Sequence, residues 1–260
     1  MNFPKIKKNY QKIKSILGLS LSLAKARFKL KNEGSYLGIL WYLLNPLSMF
    51  LILLFLRNAL HKTTIEYYPV YLFLGLIMFN FFRQATNTSS NTIISNSGFI
   101  KSMKINYEPF VVSVIIQSVF SHIFEVAILA IFMVYFGVPL WWLFFYPIIF
   151  FIFAIFTTGV SFIVSVIGAY ANDFSNAWAV FLNVLWFATP IYYVASKGNA
   201  AFLNELNPIY YFIDIARSFV ISGKFPGSKP ILIILALSTL FFVAGVFIFE
   251  KHKKKFSELI

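Results

Sequence analysis

Leu37-Gly-Ile-Leu-Trp-Tyr-Leu-Leu-Asn-Pro-Leu-Ser-Met-Phe-Leu-Ile-Leu-Leu-Phe-Leu56 carries no charge and stops at Arg57. A helix needs about 20 mostly apolar residues to cross a bilayer, so this stretch predicts a membrane span. The composition of the whole chain agrees with it. Of 260 residues, 59% are hydrophobic, 20% are aromatic and only 12% are charged. A soluble domain carries about 25% charged residues, so this chain has too few to cover a soluble surface. Disorder is excluded by the same hydrophobicity. The absence of Cys excludes a disulfide framework, a thiolate metal site and a Cys nucleophile.

Working outward, five more spans are predicted: about 68–82, 109–136, 141–170, 177–195 and 231–249. The second is short if it stops at Arg83, so its helix is expected to continue into the polar stretch that follows. Between the fifth and sixth, Leu206 to Ile221 is apolar but interrupted by Asp214 and Arg217, which suits a re-entrant or interfacial segment better than a span. The predicted fold class is therefore all-α: six transmembrane helices forming one domain over residues 1–260, with a basic amphipathic region (1–36), the spans (37–249) and a basic tail (250–260).

The net charge of +13 comes from 22 Lys+Arg against 9 Asp+Glu. In a soluble protein it would suggest nucleic acid. Here 16 basic residues fall in the segments on one side of the six spans and six on the other. The positive-inside rule places both termini in the cytoplasm, so the excess is a topology signal and no nucleic-acid partner is expected. Trp141, Trp142, Tyr67 and Tyr68 fit an aromatic belt on the outer face. Residues 13–30 read as a basic amphipathic helix in the membrane interface, a lipid anchor or a collar beside a substrate entry site.

Polar residues inside the spans mark candidate sites. Gln117, His122 and Glu125 lie on one stripe of the third span, where a bare carboxylate must face protein or water. The stripe is read either as a buried hydrogen-bond cluster or as a proton relay or pathway lining. Asp214 and Arg217 stand i, i+3 and are expected to pair with one another. Asn45-Pro46 and Pro190 interrupt apolar runs and invite kinks. Beside them cluster Trp41, Tyr42 and Phe50 in the first span, and Trp178, Phe181, Trp186 and Tyr192 in the fifth, faces suited to packing or to a ring-bearing substrate. The segment 84–107, with Ile94, Phe99, Ile100 and Met103, is a solvated linker or a docking site for a soluble partner. There is no phosphate loop, H-E-x-x-H or G-x-S-x-G, so no catalytic residue or metal site is expected in this chain.

Several short stretches, in this order, carry a family resemblance. Gly34-Ser-Tyr-Leu-Gly-Ile-Leu-Trp-Tyr-Leu-Leu-Asn-Pro-Leu follows the basic helix. After it come Asn96-Ser-Gly-Phe-Ile-Lys-Ser, Tyr170-Ala-Asn-Asp-Phe-Ser-Asn-Ala-Trp, Phe187-Ala-Thr-Pro-Ile-Tyr-Tyr, Asn207-Pro-Ile-Tyr-Tyr-Phe-Ile-Asp-Ile-Ala-Arg and the terminal Phe249-Glu-Lys. The series resembles type-2 ABC exporter permeases of the polysaccharide group (O-antigen, capsule, teichoic acid), with Asn172 where that group usually has Arg. The resemblance implies a homodimer in the bacterial cytoplasmic (inner) membrane with two copies of a separate ATPase subunit, which binds ATP and Mg. It implies a substrate glycan linked to undecaprenyl diphosphate. Asn96, Gly98, Phe99, Ile100, Lys101 and Lys104 would couple to the ATPase. Trp41, Tyr42, Asn45, Pro46, Phe50, Trp178, Phe181, Trp186 and Tyr192 would line the pathway. Lys25, Arg27 and Lys29 are expected to attract the diphosphate or anionic lipid. The alternatives are a permease for a drug or lipid, and a proton-coupled transporter using His122 and Glu125.

Overall fold

In the computed structural model, residues 3–33, 38, 40–60, 65–102, 106–194 and 201–259 are described, and among them the ordered elements are all helical. Helix α1 spans Phe3–Asn32, α2 Leu40–Leu60, α3 Tyr68–Ser90, α4 Thr92–Ser95 and α5 Ser97–Ser102. Then follow α6 (Glu108–Tyr135), a 3-10 turn (Leu140–Phe145), α7 (Tyr146–Tyr170), α8 (Phe174–Ala188), α9 (Ala201–Leu206), α10 (Pro208–Val220) and α11 (Ser228–His252). A second 3-10 turn, Lys253–Lys255, leads into α12 (Phe256–Leu259).

Among the described residues, three stretches are long and apolar enough to cross a membrane: Glu108–Tyr135, Leu140–Tyr170 and Ser228–Lys255. Leu43–Arg57 and Phe174–Ala188 are apolar but shorter. The predicted continuation of the second span is realised, since α3 passes through Arg83 to Ser90. The predicted fifth span is corrected: α8 ends at Ala188. Pro190 therefore follows the helix and does not kink it. A proline has no N–H to continue the ladder, and it biases the residue before it away from helical backbone. Thr189 is accordingly extended (ψ 130°). Pro46, in contrast, sits inside α2.

Helix α3 forms the axis of the bundle. It packs against α2, α6, α7, α8 and α10, and its run Leu72 to Phe79 is buried on every side. A helix apolar all round demands neighbours all round, which this one has. The main core joins Phe73, Phe79, Phe81 and Phe82 to Phe153, Phe156 and Phe212. A second cluster at the Ser90 end joins Ile93, Ile100, Phe110, Phe162, Phe249 and Phe256. Between α7 and α11 the backbones meet at Gly159 and Gly245, where a Cβ on either residue would strike the facing backbone. Small residues allow such close approach where no water-driven hydrophobic force operates. Elsewhere α11 is open: only 17% of its apolar window is buried.

Candidate functional site

A polar cavity of about 540 Å³ opens between α2, α3 and α8. Helix α3 contributes Leu76, Phe79, Asn80 and Arg83, spaced i, i+3, i+4 and i+7, which is one helical face. Helix α8 contributes Asn183, Trp186 and Phe187, and α2 contributes Asn45, Pro46, Ser48 and Met49. The groove thus mixes amide, hydroxyl and guanidinium groups with aromatic faces. That combination suits a solute with hydroxyl groups and apolar ring faces.

Of the predicted pathway residues, the structure brings Asn45, Pro46 and Trp186 together in this groove. Tyr192 stacks on Trp186 at 5.4 Å. Trp178 and Phe181 stack on one another at 5.0 Å further along α8, and the Trp178 indole donates to Thr86 Oγ1 at 3.2 Å. Trp41 is half exposed on α2, outside the groove lining. Phe50 is corrected: it is buried against Phe73 and Phe132 (5.6 and 5.0 Å) and belongs to the core. The side chain of Tyr42 lies outside the described residues, as does Lys104.

Sequence reading missed Asn80, Arg83, Asn183 and Ser48. Asn80 lies inside the predicted second span and Arg83 just past its apolar limit, and neither was singled out as a candidate site residue. The usable signal was the i, i+3, i+4 register linking them to Leu76 and Phe79 once the helix is extended.

Behind Asn80 lies the polar stripe. Glu125 accepts from the Asn80 amide through Oε1 and meets His122 Nδ1 through Oε2 at 2.9 Å. His122 Nε2 meets the Tyr146 hydroxyl at 2.6 Å. The three groups thus form a continuous hydrogen-bonded chain, in which the donor and acceptor roles of the two imidazole nitrogens follow the His122 tautomer. Gln117 is buried, and its carbonyl accepts from Ser121 Oγ at 3.3 Å. The stripe is a hydrogen-bonded unit joining α3, α6 and α7, and its one link to the groove is Asn80.

At the Tyr68 end the expected Asp214–Arg217 ion pair does not form. Arg217 is buried and donates to the carbonyls of Pro190 (2.7 Å), Ile191 (2.8 Å) and Tyr71 (3.2 and 3.3 Å). Its guanidinium lies 3.4 Å from the Tyr71 ring centre. Residues past the end of α8 have no helical donors for their carbonyls, and a five-donor fork satisfies several at once, which a carboxylate pair would prevent. Burial lowers the Arg217 pKa from its ordinary value, opposed by Tyr71 and Asp214. Asn207 completes the knot: its Oδ1 caps α10 by accepting from Ile209 N–H (3.0 Å), and its Nδ2 donates to Thr189 Oγ1 (2.7 Å). Tyr68 and Tyr71 hydroxyls donate to the Tyr192 and Tyr193 carbonyls, each at 3.0 Å.

At the Ser90 end, α1 lies against α6, with Phe28 packed on Phe120 and Phe124 at 6.0 and 6.4 Å. Ile13, Leu17 and Leu21 stay exposed on one i, i+4 row, as an interfacial helix requires. The three N-terminal cations differ. Lys25 is exposed, Lys29 pairs with Glu33 at 3.4 Å, and Arg27 turns inward to donate to Thr92 Oγ1 at 3.0 Å. Burial lowers the Arg27 pKa. In the coupling segment, Gly98, Phe99 and Lys101 are exposed. Asn96 is half-buried and bonds back to Thr92 O at 2.6 Å, while Ile100 points into the second core.

Residues 20–221, from the middle of α1 to the end of α10, match the family model described as ABC-2 type transporter. The chain belongs to the ABC-2 type transporter family. This ABC-2 protein is similar to the O-antigen export system permease protein RfbA of Myxococcus xanthus, at 23% identity over 248 residues, 94% of this chain and 95% of the relative. It is also similar to the protein of the same name from Klebsiella pneumoniae, at 25% over 236 residues, 89% of this chain and 91% of that one. The ABC-2 match takes in the groove, the knot and the coupling segment, and ends before α11.

Proposed function

We propose that this chain is the membrane subunit of an ATP-driven exporter of a lipid-linked polysaccharide of the O-antigen class. The observation that carries the reading is the polar and aromatic groove on α2, α3 and α8 in a chain of the ABC-2 family. Sugar hydroxyls need hydrogen-bonding groups and sugar faces need apolar rings, and the groove offers both at membrane depth. The likeness to the two RfbA permeases supports the glycan class.

In this reading α2, α3, α6, α7, α8 and α11 are the six crossings, and both termini lie in the cytoplasm of a bacterial cell, on the side richer in Lys and Arg. Two copies set their grooves face to face, and the glycan leaves attached to undecaprenyl diphosphate. Two ATPase subunits, which hold ATP and Mg, dock on the exposed Gly98, Phe99 and Lys101. Ile93 and Ile100 fix α4 and α5 to the second core, and Arg27 ties α4 to α1. A push on α5 therefore displaces the ends of α1, α6 and α7 together. The closed bonding of His122, Glu125 and Tyr146 favours a structural role over a proton relay.

Deletion of the chain in its host, followed by surface staining of the glycan, tests the reading. Loss of surface glycan with intracellular lipid-linked polymer accumulating is the expected result, together with co-purification of an ATPase subunit. Normal surface glycan overturns it.

A further inference from the structure

The groove contains a cation with nothing to balance it. Arg83 lies about 22 Å along α3 from Tyr68, well inside the helix. Its Nε is buried without a hydrogen-bond partner, and no carboxylate pairs with it among the described residues. The acid on the facing stripe, Glu125, is already held by Asn80 and His122. Its guanidinium stands 5.3 Å from the Phe79 ring centre, a cation–π contact that orients it without neutralising it. Arg83 is half-buried, and a guanidinium drawn into a helix bundle without a counter-ion is costly unless a ligand balances it. Arg27 and Lys29 are engaged elsewhere, with Thr92 and Glu33, and Lys25 is exposed on α1, outside the groove lining.

We propose that Arg83 is the anion-binding residue of the groove and takes the phosphate ester of the lipid-linked substrate. This rests on the groove being the substrate path. A guanidinium presents two parallel N–H donors that match a phosphate, and charge-assisted bonds of this type are the strong ones. Asn183 faces the same cavity from α8 and supplies an amide donor. Asn80 is oriented differently: its Nδ2 is spent on Glu125, so its Oδ1 is left as an acceptor, suited to a sugar hydroxyl beside the phosphate. The N-terminal basic helix is then a guide to the membrane surface, and the phosphate is held at Arg83.

The test uses the purified full chain in maltoside micelles, free of phospholipid, titrated with farnesyl diphosphate and with farnesol while Trp fluorescence is followed. The wild-type chain is expected to bind the diphosphate at least about tenfold more tightly than the alcohol. Arg83→Gln abolishes that preference and leaves farnesol binding unchanged. Asn183→Asp is nearly isosteric, sits on an exposed position, and puts a carboxylate in the same cavity. It is expected to abolish the preference too, so the test does not depend on how Arg83→Gln folds. An unchanged preference in both variants overturns the proposal. Equal competition by phosphatidylglycerol assigns the site to bulk lipid headgroups, and equal competition by inorganic pyrophosphate assigns it to free phosphate; either overturns the substrate assignment. If the deletion strain loses surface glycan but Arg83 has no effect on binding, this inference alone fails. If surface glycan is normal in that strain while Arg83→Gln still abolishes the preference, the transport reading fails and takes the substrate assignment with it, leaving only an anion site.

Discussion

Arg217 shows how one side chain can hold a helix end. Four of its hydrogen bonds go to carbonyls of Pro190, Ile191 and Tyr71, and Gly75 makes room, since a Cβ there would sit 2.6 Å from Nη2. Arg217→Gln leaves buried carbonyls unpaired, at about 1–3 kcal/mol each. It is expected to lower the melting temperature in detergent by several degrees, and Arg217→Lys should not restore it, because a single ammonium lacks the fork. Glu125→Gln is expected to behave differently. The Gln carbonyl still accepts from Asn80, its amide donates to Nδ1, and His122 changes tautomer to donate from Nε2 to Tyr146. Glycan export measured with and without a proton uncoupler should match wild type under each condition; selective loss in the variant would restore the relay.

At the scale of elements, the sequence made the helices legible and their ends less so. The apolar runs of α6, α7 and α11 are long and continuous, and their predicted limits fall within a few residues of those seen. Phe50 and Trp186 looked alike in sequence because both are aromatic residues on apolar helices. Tertiary placement buries both in the main core, but only Trp186 also lines the groove. The Asp214–Arg217 spacing was a sound local signal, but the carbonyls past α8 offered the guanidinium better partners, and no local pattern reports them. Two element-scale tests follow. Gly245→Val must push α11 off Gly159; overpacking costs about 1–3 kcal/mol, and protease cleavage between α10 and α11 should quicken while the groove, which α11 does not line, still binds ligand. Arg27→Gln removes the tie between α1 and α4. Export should fall more than in Lys25→Gln, with vesicle binding equal in the two variants; equal export in both would return Arg27 to a headgroup role.

At the scale of the whole molecule, apolar side chains remain exposed along α2 and α8, among them Leu51, Phe55, Val184 and Phe187. Phe187 sits at the border between this face and the groove. The chain contains no cysteine, so a single introduced thiol is an unambiguous reporter. Phe187→Cys is expected to give a disulfide-linked dimer on mild oxidation in membranes, whereas Ile148→Cys, exposed on α7, should not. Equal cross-linking at both positions would contradict a dimer closed through the groove face.

The knot around Arg217 also sets a schedule for biosynthesis. Tyr71 emerges from the ribosome 146 residues before the side chain that adds a second donor to its carbonyl. Until Arg217 arrives, the Pro190 and Ile191 carbonyls past the end of α8 lack the donor that satisfies them. A nascent chain arrested short of residue 217 therefore lacks this clasp as well as α11, which packs on α7 only later. The two carbonyls past α8 are thus satisfied from a later segment of the chain, and the α8 end closes only after α10 has been made.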